Sequence, residues 1–196
     1  MLRWRQLFVW VCYFVVVSLS AQEADVTVGT DIFTVVYSQQ YEQPLKVKYT
    51  VDCPTGDAKR AGASWKGYDQ VHTSDNEDYK DNEWDRGHMA PANAFNCDKE
   101  TIRKTFNYLN CALQHEGLNR GPWKELERFE RNLAKFFDVV VIIEIAFDDN
   151  PVRVPAGAAI PKGFYKTIYI KDHTWKFYFP NEDVAGVDWF YFLMAE

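Results

Sequence analysis

The densest chemistry in this sequence lies at Asp85-Arg86-Gly87-His88, followed by Met89-Ala90-Pro91-Ala92. An imidazole can accept a proton from water near neutral pH. A guanidinium beside it can hold a phosphate, and a glycine between them lets the backbone turn closely. The plainer reading is a surface loop whose histidine is fixed by Asp85. Further along, Leu118-Asn119-Arg120-Gly121-Pro122-Trp123 opens an apolar-periodic segment. The side-chain oxygen of Asn119, placed just before a first helical turn, is a hard neutral donor. It suits magnesium, which often takes only one or two protein ligands and keeps several waters. The competing reading is that Asn119 simply caps the helix. Glu127 and Arg131 stand four apart and share a helical face. They could hold a water of the cation and a phosphate, or form an ordinary surface ion pair. Glu130 reads as a solvated neighbour.

Elements must position these groups. Ile32 to Tyr37 and Leu45 to Val51 are β-branched or aromatic with partial alternation, which predicts two strands joined through Gln43-Pro44. Residues 52 to 82 are polar and read as a long surface excursion, a feature that is usually functional in compact domains. Asp98 to Phe106 predicts a short helix with Asp98 as N-cap. Pro122 to Phe137 predicts the main helix, with Trp123, Leu126, Phe129, Leu133, Phe136 and Phe137 as its apolar face. Val139 to Ala146 reads as a buried strand, and Tyr165 to Ile170 with Trp175 to Phe179 as a hairpin around Lys171-Asp172-His173. Strands, a long helix and further strands fit an α+β domain with a central antiparallel sheet flanked by helices.

Together, Asp85-Arg86-Gly87-His88, Asn110, Gln114, Leu118 to Trp123 and Leu126-Glu127 resemble the DNA/RNA non-specific endonucleases, a family that holds secreted bacterial nucleases and mitochondrial endonuclease G. The motif block covers residues 85 to 131; weaker similarity, at 32 to 51 and Gly186-Val187-Asp188-Trp189-Phe190, extends it over most of the chain. The resemblance implies a ββα-metal active-site motif. It makes His88 the general base, Asn119 the single direct magnesium ligand and Glu127 the acid that contacts water on the metal. Arg86 and Arg131 match the site arginines. Asn110 matches an amide that orients the base or its neighbours, after a one-residue gap following Tyr108-Leu109. The implied activity is magnesium-dependent hydrolysis of DNA and RNA, single- or double-stranded, without sequence preference, through a water activated by His88. Manganese is the expected substitute, and a homodimer is left open by dimers in the family. Two departures stand out. Leu113-Gln114 occupies a place where the family often has Pro-Gln. The family's upstream substrate-binding arginine has no match at the same spacing; Arg60 is nearest, with Lys59 and Lys66 as alternatives.

Composition bounds the rest. Arg3 and Arg5 precede a 13-residue run, Leu7 to Leu19, apolar except for Ser18, and then small residues to Ala21. That pattern predicts a signal peptide over residues 1–21, a domain over 22–196, a secreted or periplasmic protein, and no stable membrane association after cleavage; the run falls short of the about 20 residues that span a bilayer. The net charge is −6, which argues against a protein that coats nucleic acid but not against an enzyme with a local positive site. Of four cysteines, Cys12 leaves with the leader, and a bridge between Cys97 and Cys111 is the favoured pairing among the remaining three. A metal-dependent phosphatase or lipid phosphodiesterase would need more ligands. His72, His115 and His173 read as surface or loop histidines, and no His-x-x-x-His spacing occurs. A family member that kept only binding would be expected to have lost one of His88, Asn119 or Glu127.

Overall fold

In Phe33-Thr34-Val35-Val36-Tyr37, the first, third and fifth side chains are buried, as a strand with one face on a core requires. The computed structural model describes residues 24–60 and 62–195. Its strands are β1 (Val26–Gly29), β2 (Phe33–Ser38), β3 (Gln43–Thr50), β4 (Trp84–His88), β5 (Cys111–His115), β6 (Val140–Ala146), β7 (Gly163–Ile170) and β8 (His173–Pro180). Six of them form one antiparallel sheet in the order β1-β2-β3-β6-β7-β8, while β4 and β5 pair separately. The expected α+β architecture is present. Gln43 and Pro44 lie inside β3 instead of forming the connection, which falls at residues 39–42. The leader expected over residues 1–21 lies outside the described residues, and among those residues no helix is long and apolar enough to cross a membrane.

Helix α1 (Lys99–Thr105) starts where Asp98 accepts from the backbone N–H groups of Glu100 and Thr101, both at 2.8 Å. A single turn, α2 (Glu116–Leu118), leads through an irregular wide turn to α3 (Lys124–Leu133). Gly121 leaves helical geometry (φ −98°, ψ −118°), so the main helix begins after Pro122 and ends at Leu133, shorter than the sequence suggests. Phe136 is consequently 80% exposed, outside the apolar face. Trp123 and Leu126 are fully buried, and the indole meets Phe164 and Phe179 edge-on at 5.5 Å.

Glu130 is not solvated. It is 1% exposed, accepts from the Tyr49 hydroxyl at 2.6 Å, and faces the buried Lys166 ammonium at 2.8 Å. That contact is ionic, with an approach angle outside hydrogen-bonding geometry. The ammonium also lies 4.0 Å from the centroid of the Trp123 ring. Lys166→Met strands a buried carboxylate and is expected to cost about 3–5 kcal/mol in urea unfolding. The double variant Lys166→Met/Glu130→Leu should recover most of that loss; a double variant as unstable as the single one would contradict the pairing.

The disulfide joins Cys53 to Cys97, 44 residues apart, and Cys111 is free and buried. This corrects the Cys97–Cys111 pairing. Cys111 sits opposite His88 in the β4–β5 pair, with its Sγ 3.2 Å from the Tyr79 hydroxyl, whereas a backbone bridge between Cys53 and Phe95 carries Cys97 to Cys53. The bond staples the base of the 52–82 excursion to the segment that follows β4. Cys97→Ser is expected to lower stability by about 2–4 kcal/mol, read as a drop in the denaturation midpoint.

Candidate active site

Strand β4 carries the first motif. Asp85 pairs with Gln114, Arg86 with Leu113, Gly87 with Ala112 and His88 with Cys111. Alternation puts Arg86 and His88 on one face and Asp85 on the other. Gly87 is required by its neighbour: a Cβ there would lie 2.4 Å from Gln114 Oε1. The buried Gln114 side chain thus packs against a glycine of the motif, while the departing residue, Leu113, pairs with Arg86.

The His88 ring is wedged between Trp65 and Phe106, at centroid distances of 4.5 and 4.7 Å. Its Nε2 is buried and has no hydrogen-bond partner. Burial, and then the positive charge of Arg60, depress its pKa to about 3. The imidazole is therefore neutral near neutral pH, and the same burial and charge weaken it as a base in the free protein.

Asp85 does not orient His88. It accepts from Asn119 Nδ2 at 2.8 Å and from the Arg120 guanidinium at 2.9 and 2.7 Å. Burial pushes the Asp85 carboxyl up, but the hydrogen bonds from Arg120 and Asn119 outweigh it and its pKa is lowered. Asn119 makes no capping bond to α3. With its amide N–H engaged, its carbonyl oxygen is left as the donor toward the cleft.

Glu127 projects from α3, and no hydrogen bond or ion pair reaches its carboxylate among the described residues. Burial pushes its pKa up to about 7 against the pull of Lys166, and Glu130 adds to the rise. Arg131 donates to the Glu127 backbone carbonyl at 3.0 Å, so the two are not an ordinary surface ion pair. Arg86 bonds the Asn76 side chain at 3.2 Å and lies 5.0 Å from the Tyr79 ring centroid.

His88, Arg86, Asn119, Glu127 and Arg131 all line one cleft of about 490 Å³. Asn110 does not line it. That residue is buried, accepts from Ala90 N at 2.7 Å and donates to Ala90 O at 2.8 Å and Thr105 O at 3.0 Å. It pins the chain leaving β4, and so acts as a positioning residue next to His88. Arg60 lines the cleft and bonds Asn93 at 3.2 Å, whereas Lys66 lies in a neighbouring cavity. Trp65 and Phe106, which the motifs did not single out, form the walls around His88. The one available signal was a tryptophan inside an otherwise polar stretch. Among the described residues, Arg60, Arg86, Arg120, Lys124, Arg128 and Arg131 line the cleft with one carboxylate, Glu127; Arg120 is paired with Asp85 and Glu116 and Arg128 with Glu125, which leaves Arg60, Arg86, Lys124 and Arg131 without ion-pair partners. An acidic protein thus holds a local positive site fit for a phosphate.

Among the described residues no cluster of three or more His, Cys, Asp or Glu could hold a metal. The donor set fits instead a hard cation bound by one neutral oxygen, Asn119 Oδ1, with waters near the unpaired Glu127 carboxylate.

A family model described as DNA/RNA non-specific endonuclease matches residues 15–193. The chain belongs to the DNA/RNA non-specific endonuclease family. Among curated members, the mitochondrial nuclease EXOG of Xenopus laevis is 31% identical over 53% of this chain and 32% of its own length. Human mitochondrial endonuclease G is 29% identical over 57% of this chain and 37% of its own. Nuclease C1 of Cunninghamella echinulata is 35% identical over 47% of this chain and 42% of its own. This chain therefore aligns to about a third of the mitochondrial relatives. A chain of the solved EndoG/EndoGI complex, described as showing the mechanism of EndoG inhibition, shares the fold with a TM-score of 0.77 at 23% identity, over 89% of this chain and 82% of that one.

Proposed function

We propose that this chain is a divalent-metal-dependent endonuclease that hydrolyses phosphodiester bonds of DNA and RNA, single- or double-stranded, without sequence preference. The observation that carries the reading is the meeting of a neutral, unpartnered imidazole, an oriented amide oxygen and an unpaired carboxylate in one arginine-lined cleft. His88 takes a proton from a water in the cleft it lines, and the resulting hydroxide attacks phosphorus while the bond to the 3′ oxygen breaks. Asn119 and Glu127 would hold magnesium, with manganese as a substitute; when bound, the cation supplies Lewis acidity at the phosphate and stabilises charge on the departing oxygen. Arg86 and Arg131, with Arg60, offset the charge that builds on the phosphoryl oxygens. A phosphate seated beside Arg60 also screens the repulsion that charge exerts on a protonated His88. The imidazole then becomes a better proton acceptor as substrate binds.

Phosphate contacts carry no base information, and the nucleophile is a water instead of a ribose hydroxyl, so neither sequence nor sugar is read. Export is the second part of the proposal. It is supported by the leader-like sequence pattern at residues 1–21 and by the Cys53–Cys97 bond, which suits an oxidising compartment. Purified protein incubated with plasmid DNA and with RNA should degrade both, and a chelator should stop both reactions. Cleavage unaffected by chelator would overturn the metal, and intact substrates with added magnesium would overturn the activity. Edman sequencing of protein recovered outside the cytoplasm should start near residue 22.

A further inference from the structure

Beside the cleft lies a second cavity of about 560 Å³. Phe106 belongs to the walls of both, and its other neighbours are Trp65 and His88. The half-buried Phe106 ring is therefore a wall common to both spaces. Lys66, Arg103 and Lys104 line the second cavity, with Glu100 the only acid there among the described residues. Lys104 is paired with Asp31. Lys66 and Arg103 are exposed, and among the described residues neither ammonium nor guanidinium has a hydrogen-bond or ion-pair partner.

Their placement is built. The Lys66 amide donates to Phe106 O at 3.1 Å and its carbonyl accepts from Tyr108 N at 2.9 Å, fixing the excursion against the end of α1. Gly62, at φ 76°, turns the excursion over α1, so that a Cβ at that position would lie 3.7 Å from Arg103 Nη2. Two unneutralised cations thus face the same trough from separate elements. In a chain of net charge −6, long-range attraction cannot gather a polyanion, and local cations along its path must do so.

We propose that Lys66 and Arg103 form a subsite for backbone phosphates flanking the scissile bond, with the nucleic-acid strand running from the cleft past Phe106 into the trough. This rests on the nuclease reading. The subsite would make the enzyme prefer long strands over isolated diesters while adding no sequence preference. Each phosphate contact on a single strand contributes about 0.7 to the slope of log affinity against log salt.

The test compares wild type with Lys66→Ala/Arg103→Ala on two substrates. One is a single-stranded oligonucleotide of about 20 nucleotides, longer than the about 4 to 16 that one single-strand-binding module covers. The other is the p-nitrophenyl ester of thymidine 5′-monophosphate, which has no flanking phosphate. The ratio of KM on the oligonucleotide to KM on the ester should rise roughly tenfold, and the salt slope for the oligonucleotide should fall by about 1.4. The charge-keeping pair Lys66→Arg/Arg103→Lys should stay near wild type. An unmoved ratio, or an unchanged salt slope, overturns the subsite. Oligonucleotide binding by fluorescence anisotropy in a His88→Ala background separates the two readings. A wild type that cleaves neither substrate overturns the nuclease assignment, while the same tenfold loss of binding upholds the subsite and undiminished binding overturns it.

Discussion

His88→Ala is expected to lower phosphodiester cleavage by about 10²- to 10⁴-fold, the usual contribution of a general base, in a protein that still folds. The ring has two roles, and the experiment must separate them. As a wedge it packs between Trp65 and Phe106. As a base it offers an imidazole that lines the cleft. His88→Phe keeps an aromatic wedge and removes the acceptor, so it should be as inactive as the alanine variant while losing less stability. A phenylalanine variant with near-wild-type initial rates would sink the base assignment.

A pH series adds an independent readout. The folded-state pKa of His88 is near 3, below the about 6.5 of an unfolded histidine. Between these values the unfolded chain binds the extra proton, so stability rises with pH and is lost as pH falls through the window. Above about 6.5 both states are neutral and the contribution is complete. Replacing His88 should therefore flatten the acid limb of the stability curve between about pH 3 and 6.5. An acid limb of equal steepness in the His88→Phe variant would mean that the imidazole is not held neutral.

The parts of the site that were legible in the sequence are those whose meaning is local. His88 next to Arg86, and Asn119 ahead of an amphipathic helix holding Glu127 and Arg131, are readable because spacing along one element fixes a face. The β-branched runs at 32–37, 139–146 and 165–170 were readable for the same reason, to within two residues of the strands at 33–38, 140–146 and 163–170. What failed depends on contacts between elements. Arg60, Trp65 and Phe106 reach His88 from an irregular excursion and a helix end, where no periodicity reports a direction. Asp85 is instructive, because it stands an odd number of residues from His88. Had 84–88 been recognised as a strand, alternation alone would have sent the carboxylate to the opposite face and toward another partner. Glu130 carried a similar signal, since it lies four residues after Leu126, on the stripe that α3 buries. A carboxylate there implies a buried cation, but only the sheet shows that Lys166 supplies it. The cysteines illustrate the limit. Cys97 and Cys111 are close in sequence, yet pairing follows the fold, and strand β5 turns Cys111 toward Tyr79.

Asn119→Ala and Asp85→Ala should both weaken metal-supported activity, but in distinguishable ways. Asn119 supplies the oxygen, so its loss removes the donor itself. Cleavage at any magnesium concentration should then fall to the level left by chelator, and isothermal titration should show no specific binding. Asp85 touches only the amide N–H of Asn119 and the Arg120 guanidinium. Its removal leaves the oxygen in place but frees the amide to rotate and releases Arg120 from its bidentate partner. Partners that orient a metal ligand are typically worth about 10- to 100-fold in affinity. The apparent magnesium constant of Asp85→Ala should weaken by that factor, with activity largely restored at high magnesium. Arg120→Ala controls for the freed guanidinium, and a smaller shift there assigns the effect to the amide. If Asn119→Ala titrates with magnesium as the wild type does, the amide oxygen is not the ligand. If Asp85→Ala is as dead as Asn119→Ala at saturating metal, the carboxylate serves the chemistry directly instead of holding an amide in register.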